Sequence, residues 1–187
     1  QATWLGYSGS TGIPDIDAVF GDTSVTPREF EPHFTERVVR LPDAFLATDP
    51  AYVQGAATPL PALANGRVTF GSFNNIVKVS DSCLRAWCSV LDRVPGSRML
   101  FKGQHFVDSS VRDQFWGRIR ALGADLDRFE PRPGEPLDRH WASFAEVDVM
   151  LAPFPYSGAT TTRECLVKGV PVVTLSGDRY VGRMSES

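Results

Sequence analysis

Cysteine is scarce in this chain: Cys83, Cys88 and Cys165 are the only three in 187 residues. An odd number without paired metal-type spacing excludes a disulfide framework and a cysteine zinc site. It points instead to reduced thiols in a cytoplasmic protein. Histidine is equally sparse, and His33, His105 and His140 are too far apart for zinc-binding spacing. Long apolar runs are missing as well. None approaches the ~20 residues needed to span a bilayer, and no signal peptide opens the chain. Nor is there a surplus of positive charge, since 19 Lys and Arg stand against 22 Asp and Glu, a net charge of -3. That balance leaves no footprint for nucleic acid or an anionic membrane. Disorder is excluded too, because 42% of residues are hydrophobic and 22% charged, ordinary for a globular protein.

What is present is rhythm. The length fits one domain or two small ones. Gln1 to Tyr7 is strand-like and runs into a Ser/Thr-rich loop punctuated by Gly6, Gly9 and Gly12. Ala18 to Phe20 and Glu36 to Leu41 read as strands, with a short helix or loop over Arg28 to Arg37. Pro42 to Asn65 is rich in Ala, Pro and Gly without a period, and reads as a linker or boundary. Beyond it, strands at Val68 to Phe70, Arg98 to Phe101, Arg128 to Phe129, Val147 to Leu151 and Val172 to Leu175 alternate with helices. Leu84, Trp87, Cys88, Leu91 and Val94 recur at helical spacing behind Ser80-Asp81-Ser82, as do Val111, Phe115, Ile119 and Leu122 ahead of Gly123. Leu137 to Phe144 is a third helix. Such alternation predicts an α/β fold with a parallel sheet covered by helices on both faces. Ligands of these sheets bind outside the carboxyl ends of the strands.

Four strand ends therefore stand out. The most informative is Phe154-Pro-Tyr-Ser-Gly-Ala-Thr-Thr-Thr-Arg-Glu-Cys-Leu166, a turn and a helix start behind an apolar strand. A helix N-terminus presents unpartnered N–H groups and roughly half a positive charge, so the hydroxyls there form a cradle for phosphate. The competing reading is structural: Thr161 and Glu164 have the spacing of a capping box. The second is Gly71-Ser-Phe-Asn-Asn-Ile-Val-Lys78, where a lysine follows a strand and precedes a helix start, although most lysines are solvated surface residues. The third is Leu5-Gly-Tyr-Ser-Gly-Ser-Thr-Gly12, whose glycines allow close backbone approach. Its spacing is neither a dinucleotide fingerprint nor a phosphate loop, and an ordinary turn remains the alternative. The fourth is His140, on the helix before Val147.

Together, Phe154 to Thr162 with Gly169-Val-Pro-Val-Val-Thr-Leu175, Thr3-Trp-Leu-Gly-Tyr7 with Gly9-Ser-Thr-Gly12, and Phe73-Asn74 shortly before Lys78 resemble the family-41 glycosyltransferases. These are the O-linked N-acetylglucosamine transferases and their SPINDLY-like relatives, and the likeness runs along nearly the whole chain. It implies a GT-B type fold of two Rossmann-like domains. Residues 1–60 would be the end of the first domain and its linker, and 61–187 most of the second, nucleotide-sugar-binding one. It implies transfer of N-acetylglucosamine from UDP-GlcNAc to Ser or Thr of a protein acceptor, with inversion. The alternatives are a GT-B enzyme using another sugar nucleotide and a non-catalytic nucleotide-binding module.

By the same resemblance Lys78 contacts the distal phosphate and is catalytic. Asn75 stands where Gln is frequent, Thr160 and Thr161 bind phosphate, Glu164 the ribose, His140 the uracil, and Gly6, Gly9 and Thr11 lie near the donor sugar. No metal or cofactor is implied. Ser8 departs from the family's Pro, Ala152 from its Asp, and Arg132 to Arg139 lacks a lysine that some relatives use. Upstream TPR repeats are expected in the full-length protein and are not visible here. The chain opens on Gln1 rather than Met and stops just past a strand–turn pattern, which reads as a fragment of a longer enzyme; the resemblance places the general base further upstream, so the isolated fragment is expected to be inactive.

Overall fold

The computed structural model describes residues 1–187, the side chain of Pro50 excepted. Two parallel sheets follow one another along the chain. The first is small: β1 (Ala2–Thr3), β2 (Ala18–Gly21) and β3 (Arg37–Arg40), in that order, with a 3-10 helix at Arg28–His33 between β2 and β3. The second contains β4 (Thr69–Ser72), β5 (Arg98–Gly103), β6 (Phe129–Pro133), β7 (Val149–Leu151) and β8 (Val172–Val173) in the order β6-β5-β4-β7-β8. Its helices are α1 (Pro61–Asn65), α2 (Asp81–Arg93), α3 (Ser109–Ala121), α4 (Leu137–Ser143) and α5 (Thr160–Val167).

Strand side chains alternate between faces, and the core divides accordingly. Phe70, Met99, Phe101 and Leu151 pack with Leu84, Trp87, Phe115 and Ile119 of α2 and α3. Leu100 and Met150 pack on the opposite face with Trp141 of α4 and Cys165 of α5. Helices thus cover both faces, as alternating strands and helices predict. Between β4 and β7 the direction of winding reverses. This is the topological switch point, where an open α/β sheet leaves a crevice at its carboxyl end.

Local chemistry explains most boundaries. Ser80 starts α2 by accepting from Cys83 N–H at 3.1 Å, and Asp108 starts α3 by accepting from Ser110 N–H at 2.8 Å. Gly169, at φ +74°, ends α5, the left-handed stop that glycine makes without strain. Differences from the sequence expectations also have causes. β1 spans two residues rather than seven. The stretch expected to be a linker contains α1, opened by Pro61 and closed by Gly66 at φ +68°. Buried Asp148 ties α1 to β4, accepting from Ala62 N–H and Thr69 N–H at 2.9 and 2.8 Å. β6 runs four residues past Phe129 through Pro131 and Pro133, tolerable because it is an edge strand.

The two halves meet at the carboxyl end of the second sheet. Val25 and Phe45 pack with Tyr180 and Met184 of the C-terminal segment, and Ala159 packs against that cluster. Arg183 Nε donates to the Ser24 carbonyl at 2.6 Å, and Arg163 of α5 donates to the Leu46 carbonyl at 2.9 Å. No helix among the described residues is long and apolar enough to cross a membrane.

Candidate functional site

The loops after β4 and β7 face each other across the switch point and are stitched together. Val79 and Pro155 form an antiparallel bridge, and Ser80 Oγ donates to the Phe154 carbonyl at 2.9 Å. Lys78 reaches over this seam. Its Nζ donates to the Ser157 carbonyl at 3.2 Å and lies 4.1 Å from the centroid of the Tyr156 ring. Burial pushes its pKa down, with no charged neighbour contributing. A half-buried ammonium held by one carbonyl and one aromatic face retains the capacity to bind an anion.

The other wall of the crevice is the start of α5. The capping-box reading fails. The N-cap is Ala159, no side chain caps the helix, and Thr161 already lies inside its first turn. Thr160 is exposed and Thr161 half-buried. Thr162 is buried and bonded to Ser185 Oγ at 3.0 Å. Ser185 Oγ also donates to the Gly158 carbonyl at 2.7 Å. Gly158 fits closely there, since a Cβ would sit 2.9 Å from Asn74 Oδ1 and 3.0 Å from Thr162 Oγ1. Asn75 caps the short turn Ile76–Lys78, its Oδ1 accepting from Val77 N–H at 3.1 Å. Its amide nitrogen remains available.

His140 and Glu164 come together on the same side of the sheet. His140 Nε2 lies 3.5 Å from Glu164 Oε2, and Glu164 is buried at 8% exposure. The imidazole is bracketed by aromatic rings, with centroids 4.8 Å to Trp141, 5.3 Å to Phe144 and 6.2 Å to Phe73. This leaves an imidazole edge and a carboxylate as a polar pair in an aromatic setting.

Gly6, Gly9 and Thr11 sit on the loop after β1 and are not drawn onto Lys78. Neither Gly6 nor Gly9 takes a left-handed conformation; Leu5 does, at φ +62°, together with Gly12 at +66°. Thr11 donates to Glu36 through its backbone N–H at 2.6 Å and through its hydroxyl, and Ser10 Oγ donates to the same carboxylate at 2.8 Å. Burial raises the Glu36 pKa, but these bonds outweigh it and hold the carboxyl at about 2. The Thr11 hydroxyl therefore anchors the loop. Ser8 Oγ contacts Met184 Sδ at 3.2 Å, which brings the loop against the segment that braces α5. A cleft of about 590 Å³ opens there, lined by Gly9, Phe30, His33, Phe34, Tyr180 and Val181 among others. Val181 is one step from Lys78, since its carbonyl accepts from Ser157 N–H at 2.9 Å.

Two contributors escape a reading of the sequence. Ser157 and Ser185 organise the crevice through backbone contacts that no spacing announces. Lys102, 2% exposed near the end of β5, had a signal: a lysine directly behind the apolar run Met99 to Phe101. No group of three or more His, Cys, Asp or Glu that could hold a metal occurs among the described residues. Two Asp-x-Asp spacings do occur. Asp17 of the first takes the N-terminal amine, and Asp125 of the second caps a turn by accepting from Asp127 N–H at 3.1 Å.

This geometry has counterparts. The whole chain is 40% identical to a segment of the tomato (Solanum lycopersicum) protein named probable UDP-N-acetylglucosamine--peptide N-acetylglucosaminyltransferase SPINDLY, covering 20% of that protein. The SPINDLY proteins of Petunia hybrida and Arabidopsis thaliana are 41% and 39% identical, again over the whole chain and 20% and 21% of theirs. The chain thus spans about a fifth of the length of these relatives. A mutant of the Thermobaculum terrenum O-GlcNAc transferase superposes over the whole chain and 35% of its own, with a TM-score of 0.87 and 30% identity. Sucrose-phosphate synthase of Thermosynechococcus elongatus, at 11% identity, matches 87% of the chain and 42% of its own with a TM-score of 0.61, a likeness of fold. No protein-family model matches.

Proposed function

We propose that this chain, which belongs with the O-linked N-acetylglucosamine transferases and SPINDLY proteins of glycosyltransferase family 41 and has their GT-B type fold, forms the nucleotide-sugar side of an inverting transferase. That enzyme moves N-acetylglucosamine from UDP-GlcNAc to Ser or Thr hydroxyls of protein acceptors. Residues 1–60 close the first domain, and 61–187 form most of the second. One observation carries the reading: a half-buried ammonium without a carboxylate partner faces an uncapped helix start at the switch point.

In this arrangement the diphosphate lies between Lys78 and the Thr160-Thr161 end of α5, with Asn75 at its edge. Its uridine extends toward His140 and Glu164. The sugar points to the cleft beside Gly6 and Gly9, where the acceptor would also enter. As the bond to the anomeric carbon breaks, negative charge grows on the departing phosphate oxygen. A preorganised ammonium and helix dipole stabilise that charge, a role that needs no metal. The base that takes the acceptor proton is assigned, as the family resemblance implies, to sequence beyond this chain; His140 is engaged with Glu164, and His33, although it lines the cleft, is given no part. TPR repeats upstream and a cytoplasmic location belong to the same proposal.

Thermal-shift titration with UDP, ADP, GDP and CDP tests it. A ligand at ~100 times its dissociation constant adds about 2.7 kcal/mol to stability. A rise with UDP alone supports the uridine pocket. A rise with another diphosphate alone points to a GT-B enzyme of different donor. No rise in a cooperatively melting protein removes the site.

A further inference from the structure

Lys102 stands where an apolar residue would fit. It follows Phe101 on β5 and so shares the face of Leu100 with Trp141 and Phe144, with its side chain 2% exposed. Its ammonium has two hydrogen-bond acceptors and one aromatic face around it. Nζ donates to the His140 carbonyl at 3.3 Å and to Glu135 Oε2 at 3.5 Å, and lies 4.6 Å from the centroid of the Phe73 ring. Glu135 Oε2 also accepts from Ser143 Oγ at 3.0 Å. One buried cation thus ties β5 to both ends of the His140 turn and to Phe73, on the loop that leads to Lys78.

Stability does not explain it. Burial pushes the Lys102 pKa down while Glu135 pulls it back up, and a buried ion pair replaced as a whole, both partners together, by apolar side chains commonly costs nothing. What the cluster does fix is the backbone at His140 and the Phe73 ring beside its imidazole. We propose that Lys102 is a positioning residue for the nucleobase, holding His140 and Phe73 in place without itself touching the nucleotide. The inference rests on His140 facing the base.

The test is calorimetric titration of the protein with UDP and, separately, with inorganic pyrophosphate. Lys102→Met should weaken UDP about tenfold, roughly 1.4 kcal/mol, while pyrophosphate affinity stays close to wild type. Lys102→Arg should recover part of the loss. Adding His140→Ala to Lys102→Met should cost little more, as coupled residues are non-additive. Unchanged UDP affinity in Lys102→Met, equal loss for both ligands, or full additivity with His140→Ala overturns the proposal while leaving the site intact. Should Lys102→Met not fold, Glu135→Gln carries the same test. A UDP-selective loss supports the proposal, and none overturns it. Wild-type protein that binds pyrophosphate and UDP equally removes the base pocket itself, and this inference with it.

Discussion

Lys78 carries a positive charge that no carboxylate neutralises. Its charge acts on a leaving group, so its removal should appear in turnover. In a full transferase carrying this segment, Lys78→Ala should lower kcat at least tenfold, about 1.4 kcal/mol, with little change in the donor KM. Survival of activity within about threefold rules out the role. A pH titration gives a second reading. Burial lowers the Lys78 pKa, and a bound anion favours the protonated form, so nucleotide affinity is highest below the lowered value. It should fall as pH rises through that value, before the ordinary ~10.4 of lysine is reached. Lys78→Ala should lack this alkaline limb. Glu36 behaves oppositely. Its carboxyl is held at about 2, so the anchored loop is stabilised above the unfolded ~4.3 and loses that support as pH falls toward 2. Urea melts of wild type and Glu36→Gln should differ at pH 5 and converge in acid. A constant difference would count against the hydrogen-bonded carboxylate.

At the scale of elements, α5 separates binding from stability within one turn. Thr160 is exposed and Thr162 is buried against Ser185. Thr160→Val should weaken UDP several-fold, with stability unchanged within about 0.5 kcal/mol. Thr162→Val should cost about 1 kcal/mol in denaturant melts through its lost hydrogen bond. The reverse pattern would mean that the wrong hydroxyl faces the ligand. In β4, a Cβ on Gly71 would come within 2.8 Å of Met150 Sδ and of Val147 Cγ1. Gly71→Ala should therefore destabilise by roughly 1–3 kcal/mol as overpacking. Elements with periodic apolar residues and a capping side chain, α2 and α3, were legible in the sequence. β6 was legible only at its start, at Phe129, because its prolines argue against a longer strand until its edge position is known. The Thr161–Glu164 spacing misled for a related reason: the turn after β7 sets where α5 begins, and it begins two residues too early for that box.

Across the whole molecule, the strand order makes the site. Lys78 and Ser157, 79 residues apart, meet because the sheet reverses its winding between β4 and β7. The alternation of strands and helices announced such a sheet, and the Thr-rich and Lys78 motifs announced its ligand end. Their mutual contact through Ser157 was not announced, since it is made by a carbonyl. Nor was the buried anchorage of His140 by Lys102, which depends on two strands and a helix converging. The most direct measurement is calorimetric titration of UDP and UDP-GlcNAc into wild type and Lys78→Ala. UDP, which carries the full charge of the leaving group, should weaken about tenfold in Lys78→Ala, while UDP-GlcNAc should stay within about threefold. Equal affinities for both ligands in wild type and variant would contradict a diphosphate seated between Lys78 and α5.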